Sequence, residues 1–480
     1  MVQFLKSKVI IVNSGVIRMN IVLFNKDLRI SDNQPLAEAA RAGEVLPLYV
    51  FEPSQWEDTP LSARHFQFVV ESLEELAKGI ESLGGKLFLA IDEMETVLEK
   101  LLYHYDSINL YAHINSSFID IVKEWAKQKE QLLFAYGPEL DNVPGRLFNN
   151  RLNAYLNESL AEVPNKIDVT SKIPDLLFAD FKRFQKLRFK GNKIRYGQQG
   201  GELKAIETLD SFLEGRFANY IENHQKPLPS SLSSSRLSAY ITWGNISVRT
   251  IFQKTDEKLQ ACELEEDQIQ LEEFLSKLNK RAKICSLRMD DQQQADVNEI
   301  KRDYNEEWFR RWLQGRTGIP MVDAAMRSLD KTGWMNFPLR AMVTSFIANT
   351  LLLDEKKVSA SLAELYLDYE PAVHDFYIQQ LVETKGKMKI IDPVKAGRQL
   401  DPDGTFIRRY VTELSKLPDE YIHEPWLYPA FYQLGYEAPM VDVKKACKHA
   451  RLQYRTIKSK GTPGRKKEKE GETEQLSFDF

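Results

Sequence analysis

Residues 308–340 read W-F-R-R-W-L-Q-G-R-T-G-I-P-M-V-D-A-A-M-R-S-L-D-K-T-G-W-M-N-F-P-L-R, and the reading of this stretch decides the fold. Gly315 and Gly318 frame a tight turn, and Pro320 suits the first turn of a helix, where its missing N–H costs nothing. Val322, Ala325, Met326 and Leu329 then recur at helical spacing, and Gly333 ends the run. A second helix starts near Leu339, with Met342, Val343, Phe346, Ile347 and Leu351 on one face. The apolar positions alone imply a helical hairpin in the core of an α-helical domain.

Polar residues stand at fixed places between them. Gly315-Arg316-Thr317-Gly318, Pro320, Val322-Asp323-Ala324-Ala325-Met326-Arg327, Gly333-Trp334-Met335 and Leu339-Arg340 closely resemble the flavin-binding helical domain of the photolyase/cryptochrome family. The resemblance runs ungapped through the whole stretch. It implies a non-covalent FAD buried among helices and driving light-dependent electron transfer.

Composition fits a soluble globular protein of two or more domains: 480 residues, 43% hydrophobic and 28% charged. With a formal net charge of −4, nucleic-acid binding requires a local basic patch. Three cysteines, Cys262, Cys285 and Cys447, are scattered without pair spacing, which suits a reducing cytosol and excludes a four-thiolate iron–sulfur cluster. No metal site, no membrane span and no cleavable leader are expected, and the chain is expected to be a cytoplasmic monomer. Translation starts at Met1 or at Met19.

Working back toward the N-terminus, five short apolar runs (20–24, 46–51, 86–90, 107–112 and 132–136) read as buried parallel strands. They alternate with helical segments near 35–42, 62–83, 92–104 and 116–130, the pattern of a doubly wound α/β domain. No G-x-G-x-x-G follows the first strand, so ordinary Rossmann dinucleotide binding is not supported. What does follow, Phe24-Asn25-Lys26-Asp27-Leu28-Arg29-Ile30-Ser31-Asp32-Asn33, resembles the family's F-R-R-D-L-R-x-x-D-N opening. Its expected role is an Arg–Asp network tying the first loop to the sheet. In the family this domain also holds a second, antenna chromophore of folate or flavin type. The expected division is an α/β antenna domain at 19–140, a linker at 141–199, an all-helical FAD-binding domain at 200–457 and a disordered tail at 458–480. Within the linker, residues 181–196 carry seven Lys/Arg, no acid and four aromatics. They read as a solvated connection, or as cations and rings that track a phosphate backbone.

Ser233-Ser234-Ser235-Arg236-Leu237-Ser238-Ala239-Tyr240 is hydroxyl-rich, carries an arginine and leads into a helix, a composition that serves either a flexible linker or a diphosphate site. It resembles the family's T-S-R-L-S-P-Y segment, which implies that Ser234, Ser235, Arg236, Leu237 and Ser238 hold FAD, with Tyr220 near the flavin. At 271–285 the cyclobutane-dimer photolyases have E-L-I-W-R-E-F. Here Lys277 and Lys280 replace the lesion-binding glutamate and tryptophan, Arg281 is kept, and the three are expected to contact DNA or cofactor. Lysines offer no stacking face. Asn336 replaces the histidine implied as the acid in repair of pyrimidine–pyrimidone photoproducts.

Leu367-Asp368-Tyr369-Glu370-Pro371-Ala372-Val373-His374 resembles the family's L-x-D-x-D-x-x-x-N. The resemblance implies that Asp368 pairs with Arg340 beside the isoalloxazine, that Glu370 faces its polar edge, and that His374 sits opposite N5. Arg340, Asp368 and His374 are then the catalytic candidates, and an ordinary histidine pKa near 6.5 would let His374 exchange a proton near neutrality. The tryptophan relay of the family is replaced by Ile378, Glu355 and Arg302, leaving Trp308, Trp312, Trp334, Tyr377 and Tyr410 as other aromatics. Asp392-Pro393-Val394 through His423-Glu424-Pro425-Trp426 also follows the family pattern and is expected to pack under the flavin. Gln475–Phe480 resembles sliding-clamp docking peptides. The functional expectation is light-driven repair of UV-damaged DNA, with a cryptochrome-type blue-light photoreceptor as the alternative.

Overall fold

The computed structural model describes residues 18–114, 116–170, 173–174, 177–287, 302, 304–382 and 390–460. Among them the N-terminal apolar runs form one parallel sheet in the order β3-β2-β1-β4-β5. Strand β1 is Arg18–Phe24, β2 Val45–Phe51, β3 Phe88–Ile91, β4 Ser107–His113 and β5 Leu132–Tyr136. Ile21 lies opposite Leu46 on one side and Leu110 on the other. Helices cover both faces, which is why these strands are continuous apolar runs rather than alternating ones. Strand β5 departs from that expectation. It closes the edge of the sheet, and its Leu132 and Phe134 are 50% and 40% exposed.

Strand order reverses at β1, so the carboxyl ends of β1 and β4 open a crevice where ligands commonly bind in such sheets. The loop at 24–33 lies there. Asp27 ties it to the sheet through His113 (2.7 Å). The arginine network reaches further than expected, into the helical region. Arg29 Nη1 donates to the Gly244 carbonyl (3.0 Å), Arg249 Nε to Asp32 (3.1 Å), and Asn245 Nδ2 to the Leu28 carbonyl (3.1 Å). Gly244, at φ +68°, is what allows this approach, since a Cβ there would sit 2.0 Å from the Lys26 carbonyl oxygen.

The 141–199 segment is more than a linker. Its helix Gly145–Leu156 carries Phe148, Leu152 and Leu156 at four-residue spacing, and they bury against Val248, Phe252 and Ala282. Val169 pairs with Val45.

Beyond residue 200 the described chain is mostly helical. The central hairpin is Pro320–Thr332 and Phe337–Thr344, the second helix starting two residues earlier than expected, with Pro338 in its first turn. It continues into a π-helical turn, Ser345–Thr350. Trp312, Val322, Met326, Leu329, Met342 and Phe346 form the centre of a second core. Asp323 explains the polar residues of the diagnostic stretch. It is fully buried and accepts from Thr317 N (2.7 Å), Thr317 Oγ1 (2.6 Å), Gly318 N (3.0 Å) and Tyr436 Oη (2.5 Å). The last helix runs from Val443 to Lys460, three residues past the expected limit. Met1 and Gln475–Phe480 lie outside the described residues. No helix among the described residues is long and apolar enough to cross a membrane.

Candidate functional site

Four chain segments converge on one small cavity of about 50 Å³: the helix Glu265–Ser286 through Arg281, the helix Phe337–Thr344 through Phe337 and Arg340, the turn at 366–370, and the helix Pro371–Val382 through His374 and Tyr377. Arg340 Nη2 donates to both oxygens of Asp368 (2.9 Å each), its Nε to the Met335 carbonyl (2.8 Å), and its guanidinium lies 4.0 Å from the centre of the Tyr366 ring. Burial works against both charges. The pairing wins, holding the Arg340 guanidinium above its ordinary range and, helped by the Ser238 hydroxyl, the Asp368 carboxyl below its own.

Glu370 behaves likewise. Burial would raise it, yet Lys26 (Nζ–Oε2 2.9 Å) and Arg281 keep it below the usual carboxylate range. Lys26 belongs to the loop after β1, and no sequence reading singled it out for this site. Its signal was only its place in the family opening. His374 Nε2 lies 2.9 Å from Ser359 Oγ and 3.1 Å from the Ser359 carbonyl. Burial, reinforced by the nearby Arg340 charge, pushes it down to about 4. Proton exchange near neutrality, expected from an ordinary histidine, is therefore not a property of this environment. The imidazole is neutral, and with its Nε2–H given to the Ser359 carbonyl, Nδ1 is left as a bare acceptor.

The hydroxyl-rich block packs against the same turn, since Ser238 hydrogen-bonds Asp368 and Thr242 Oγ1 donates to the Asp368 carbonyl (3.4 Å). The helix that follows, Ser238–Trp243, is only six residues long. Ser234 Oγ is buried without a hydrogen-bond partner. Arg236 is held at φ +60° with its guanidinium 4.2 Å over the Trp334 ring, and burial lowers its pKa to about 10. Arg216, missed by sequence reading, organises the loop. It donates to the carbonyls of Thr208 (2.7 Å), Leu232 (3.2 Å), Ser235 (3.5 Å) and Ser234, which leaves the loop's hydroxyls for other partners. A lone arginine after Gly215 carries no pattern that could have announced this.

The basic face of the long helix divides. Arg281 lines the cavity and donates to Thr242 Oγ1 (3.0 Å). Lys277 turns instead onto the Tyr220 ring (4.8 Å) and Glu273 (3.3 Å), and burial lowers both its pKa and that of Lys280. Tyr220 is buried among Phe212, Phe274 and His224. Asn336 braces the neighbouring turn by donating to the His224 carbonyl (3.1 Å). Two of the three positions aligned with a tryptophan relay form an ion pair, Arg302 Nε–Glu355 Oε2 at 2.7 Å. Of the other aromatics considered, Tyr377 lines the cavity, Trp312 is fully buried, and Trp334 lies under Arg236. A second, larger cavity of about 340 Å³ lies at the carboxyl ends of β1, β4 and β5. Its walls include His113, Tyr136 and Tyr155, and it shares Arg281 and Glu370 with the first.

The profile of the DNA photolyase domain matches residues 20–147, and that of the FAD binding domain of DNA photolyase matches residues 267–456. The chain belongs to the photolyase/cryptochrome family. It is 26% identical to the deoxyribodipyrimidine photo-lyase of Alkalihalophilus pseudofirmus, over 89% of this chain and 96% of that one. To cryptochrome-2 of Arabidopsis thaliana it is also 26% identical, over 89% of this chain and 77% of the other. The fold matches the crystal structure of a bacterial class III photolyase from Agrobacterium tumefaciens with a TM-score of 0.79 at 24% identity, over 94% of this chain and 99% of that chain. The family's FAD-binding domain thus contains Arg281, Arg340, Asp368, Glu370 and His374, while Tyr220 and the hydroxyl-rich block precede the matched residues.

Proposed function

We propose that this protein is an FAD-dependent, blue-light-driven DNA photolyase that repairs UV pyrimidine lesions, its flavin held by the Arg340–Asp368 cavity and its DNA by the lysine face beside it. The observation that carries the reading is the convergence of Arg340, Asp368, Glu370 and His374 on one cavity, with Arg281 in its wall and Lys277 and Lys280 on the same helix. The donor set suits FAD. Ser234 Oγ, buried without a partner, and Arg236, left with a ring as its partner, would take the diphosphate. Glu370 would accept from the flavin's ring N–H, and Tyr220 would border it. The cavity's volume of about 50 Å³ is below what a tricyclic ring needs, so its lining must move apart to admit one. Bound there, reduced flavin supplies the light-driven electron for lesion cleavage.

This chain's own residues keep the site ionised and oriented. The Arg340–Asp368 pair fixes a permanent charge couple beside the ring, and neutral His374 presents Nδ1 as an acceptor. Lys277 and Lys280 lack a stacking surface, so the lesion would be held by charge and hydrogen bonding. The larger cavity, at 340 Å³, falls within the usual range for small-molecule sites and would hold the antenna, of folate or flavin type.

Illumination of the reduced, purified protein with oligonucleotides carrying either pyrimidine lesion tests the proposal. Lesion loss in light and none in darkness is expected. Clean flavin photoreduction without lesion loss would instead assign the chain to the photoreceptors.

A further inference from the structure

The segment at 181–196 contains Lys182, Arg183, Lys186, Arg188, Lys190, Lys193 and Arg195 and no acidic residue. The structure separates its rings from its charges. Phe184 packs 5.0 Å from Phe66 and 5.3 Å from Phe51, and Phe189 packs 4.7 Å from Phe66 and 5.0 Å from Trp56. The Lys190 carbonyl accepts from Ala63 N (2.8 Å), and Ile194 N donates to Gln67 (3.1 Å). All seven cations are exposed on this tethered backbone. Among the described residues only Lys190 has a carboxylate partner, Glu364 at 2.8 Å. Of the acids on the underlying helix Ala63–Ser82, Glu71 accepts from Gly200 N (2.8 Å) and Glu75 from Leu203 N (2.5 Å), both outside this segment, while Glu74 accepts from the uncharged Gln185 side chain within it. Tyr196, 74% exposed, closes the run. Two residues on, Gln198 donates to the Arg236 carbonyl (2.7 Å), so the strap ends beside the Arg236–Trp334 pair.

We propose that residues 182–196 form a second nucleic-acid contact, a cationic strap that tracks the phosphodiester backbone of a single strand and stacks a base on Tyr196. A chain of net charge −4 does not attract a polyanion as a whole. It needs a local row of cations with few carboxylate partners, and the strap supplies one, six of its seven cations having none among the described residues. Anchoring by Phe184, Phe189 and Ile194 means that little backbone freedom is lost on binding. The rings that would insert into a membrane are buried, which disfavours an anionic lipid surface. An exposed ring among cations is how single strands are held. The inference rests on the proposed function only in taking nucleic acid as the ligand.

The test uses the full chain in darkness with labelled, undamaged single-stranded DNA, the matching duplex, and phosphatidylserine vesicles. The combined variant Lys182→Gln/Arg183→Gln/Lys186→Gln/Arg188→Gln is expected to melt like the parent. It should bind the single strand about tenfold more weakly at low salt, with a log K–log salt slope reduced by roughly 0.7 for each phosphate it no longer neutralises. Arg183→Lys/Arg188→Lys should bind normally, and Tyr196→Ala should weaken the single strand but not the duplex. Unchanged affinity and slope in the combined variant would overturn the strap, as would tighter binding to vesicles than to DNA. A silent Tyr196→Ala would overturn the single-strand assignment. Light-driven repair by a parent whose DNA affinity the strap variants leave untouched would sink this inference alone. A parent that binds no nucleic acid would sink the proposed function with it.

Discussion

Arg340 is buried with its charge intact because Asp368 meets it with both oxygens, and either residue alone would be a liability. Asp368→Asn should therefore cost about 3–5 kcal/mol in urea denaturation, the scale of a buried charge deprived of its partner. The double variant Arg340→Met/Asp368→Leu should recover most of that loss, since it removes both charges from the interior. An equal loss in the single and the double variant would show that shape, not charge, sets the cost. His374 gives a second prediction at this scale. Burial and the Arg340 charge push it down to about 4, so its imidazole NMR resonances should stay constant from pH 8 to pH 6 and titrate only near 4. A midpoint above 6 would restore it as a proton exchanger at neutrality. The pairing of Arg340 with Asp368 was legible because both residues stand in family motifs. Lys26 and Arg216 were not, because a side chain that reaches another segment leaves no local pattern in its own.

Between elements, the closest approach of the helical region to the sheet runs through Gly244. Its φ of +68° carries a penalty of about 1–2 kcal/mol for any L side chain, and a Cβ would also meet the Lys26 carbonyl. Gly244→Ala should thus lower stability by more than about 2 kcal/mol and increase proteolysis between the sheet and the helical region. Gly145→Ala makes the contrast, being at a helix start with nothing within 4 Å, and should stabilise by about 0.5–1 kcal/mol. If the two substitutions cost the same, backbone strain at Gly244 is not what sets the junction. The strands were legible as apolar runs because burial on both faces leaves no polar alternation. Strand β5 misled for the same reason, as composition does not say which strand is the edge. The helix Gly145–Leu156 was missed inside a polar segment because its apolar face is three residues wide. The diagnostic block at 317–323 reads as a marker of flavin chemistry, whereas its polar atoms brace a buried turn away from the cavity.

At the scale of the whole molecule, histidines set the response to acid. His65, His224 and His374 are each pushed down to about 4, chiefly by burial, and burial also lowers His113 and His423. His65 bridges the two halves of the fold, its Nδ1 accepting from Ser62 N (3.0 Å) and its Nε2 2.8 Å from the Tyr366 carbonyl. Folded pKa values below the ordinary 6.5 mean that the unfolded chain takes up protons first as pH falls. Stability from these groups is complete above about pH 6.5 and is lost progressively toward pH 4, at up to roughly 1.4 kcal/mol per pH unit for each histidine. Glu52, Asp323 and Asp375 act in the opposite sense, since burial makes the folded chain hold their protons to higher pH than the unfolded one. Unfolded carboxyls titrate near 4, so that opposition develops from about pH 4 upward to the raised folded values. Urea denaturation should therefore show stability falling by several kcal/mol between pH 7 and pH 5. The proton uptake on unfolding should drop by about one in His224→Gln, which removes a single buried imidazole remote from the junction. A flat profile over that interval would mean that these imidazoles are hydrated and charge freely in the folded protein, and the junction held by His65 would then not be the acid-sensitive element.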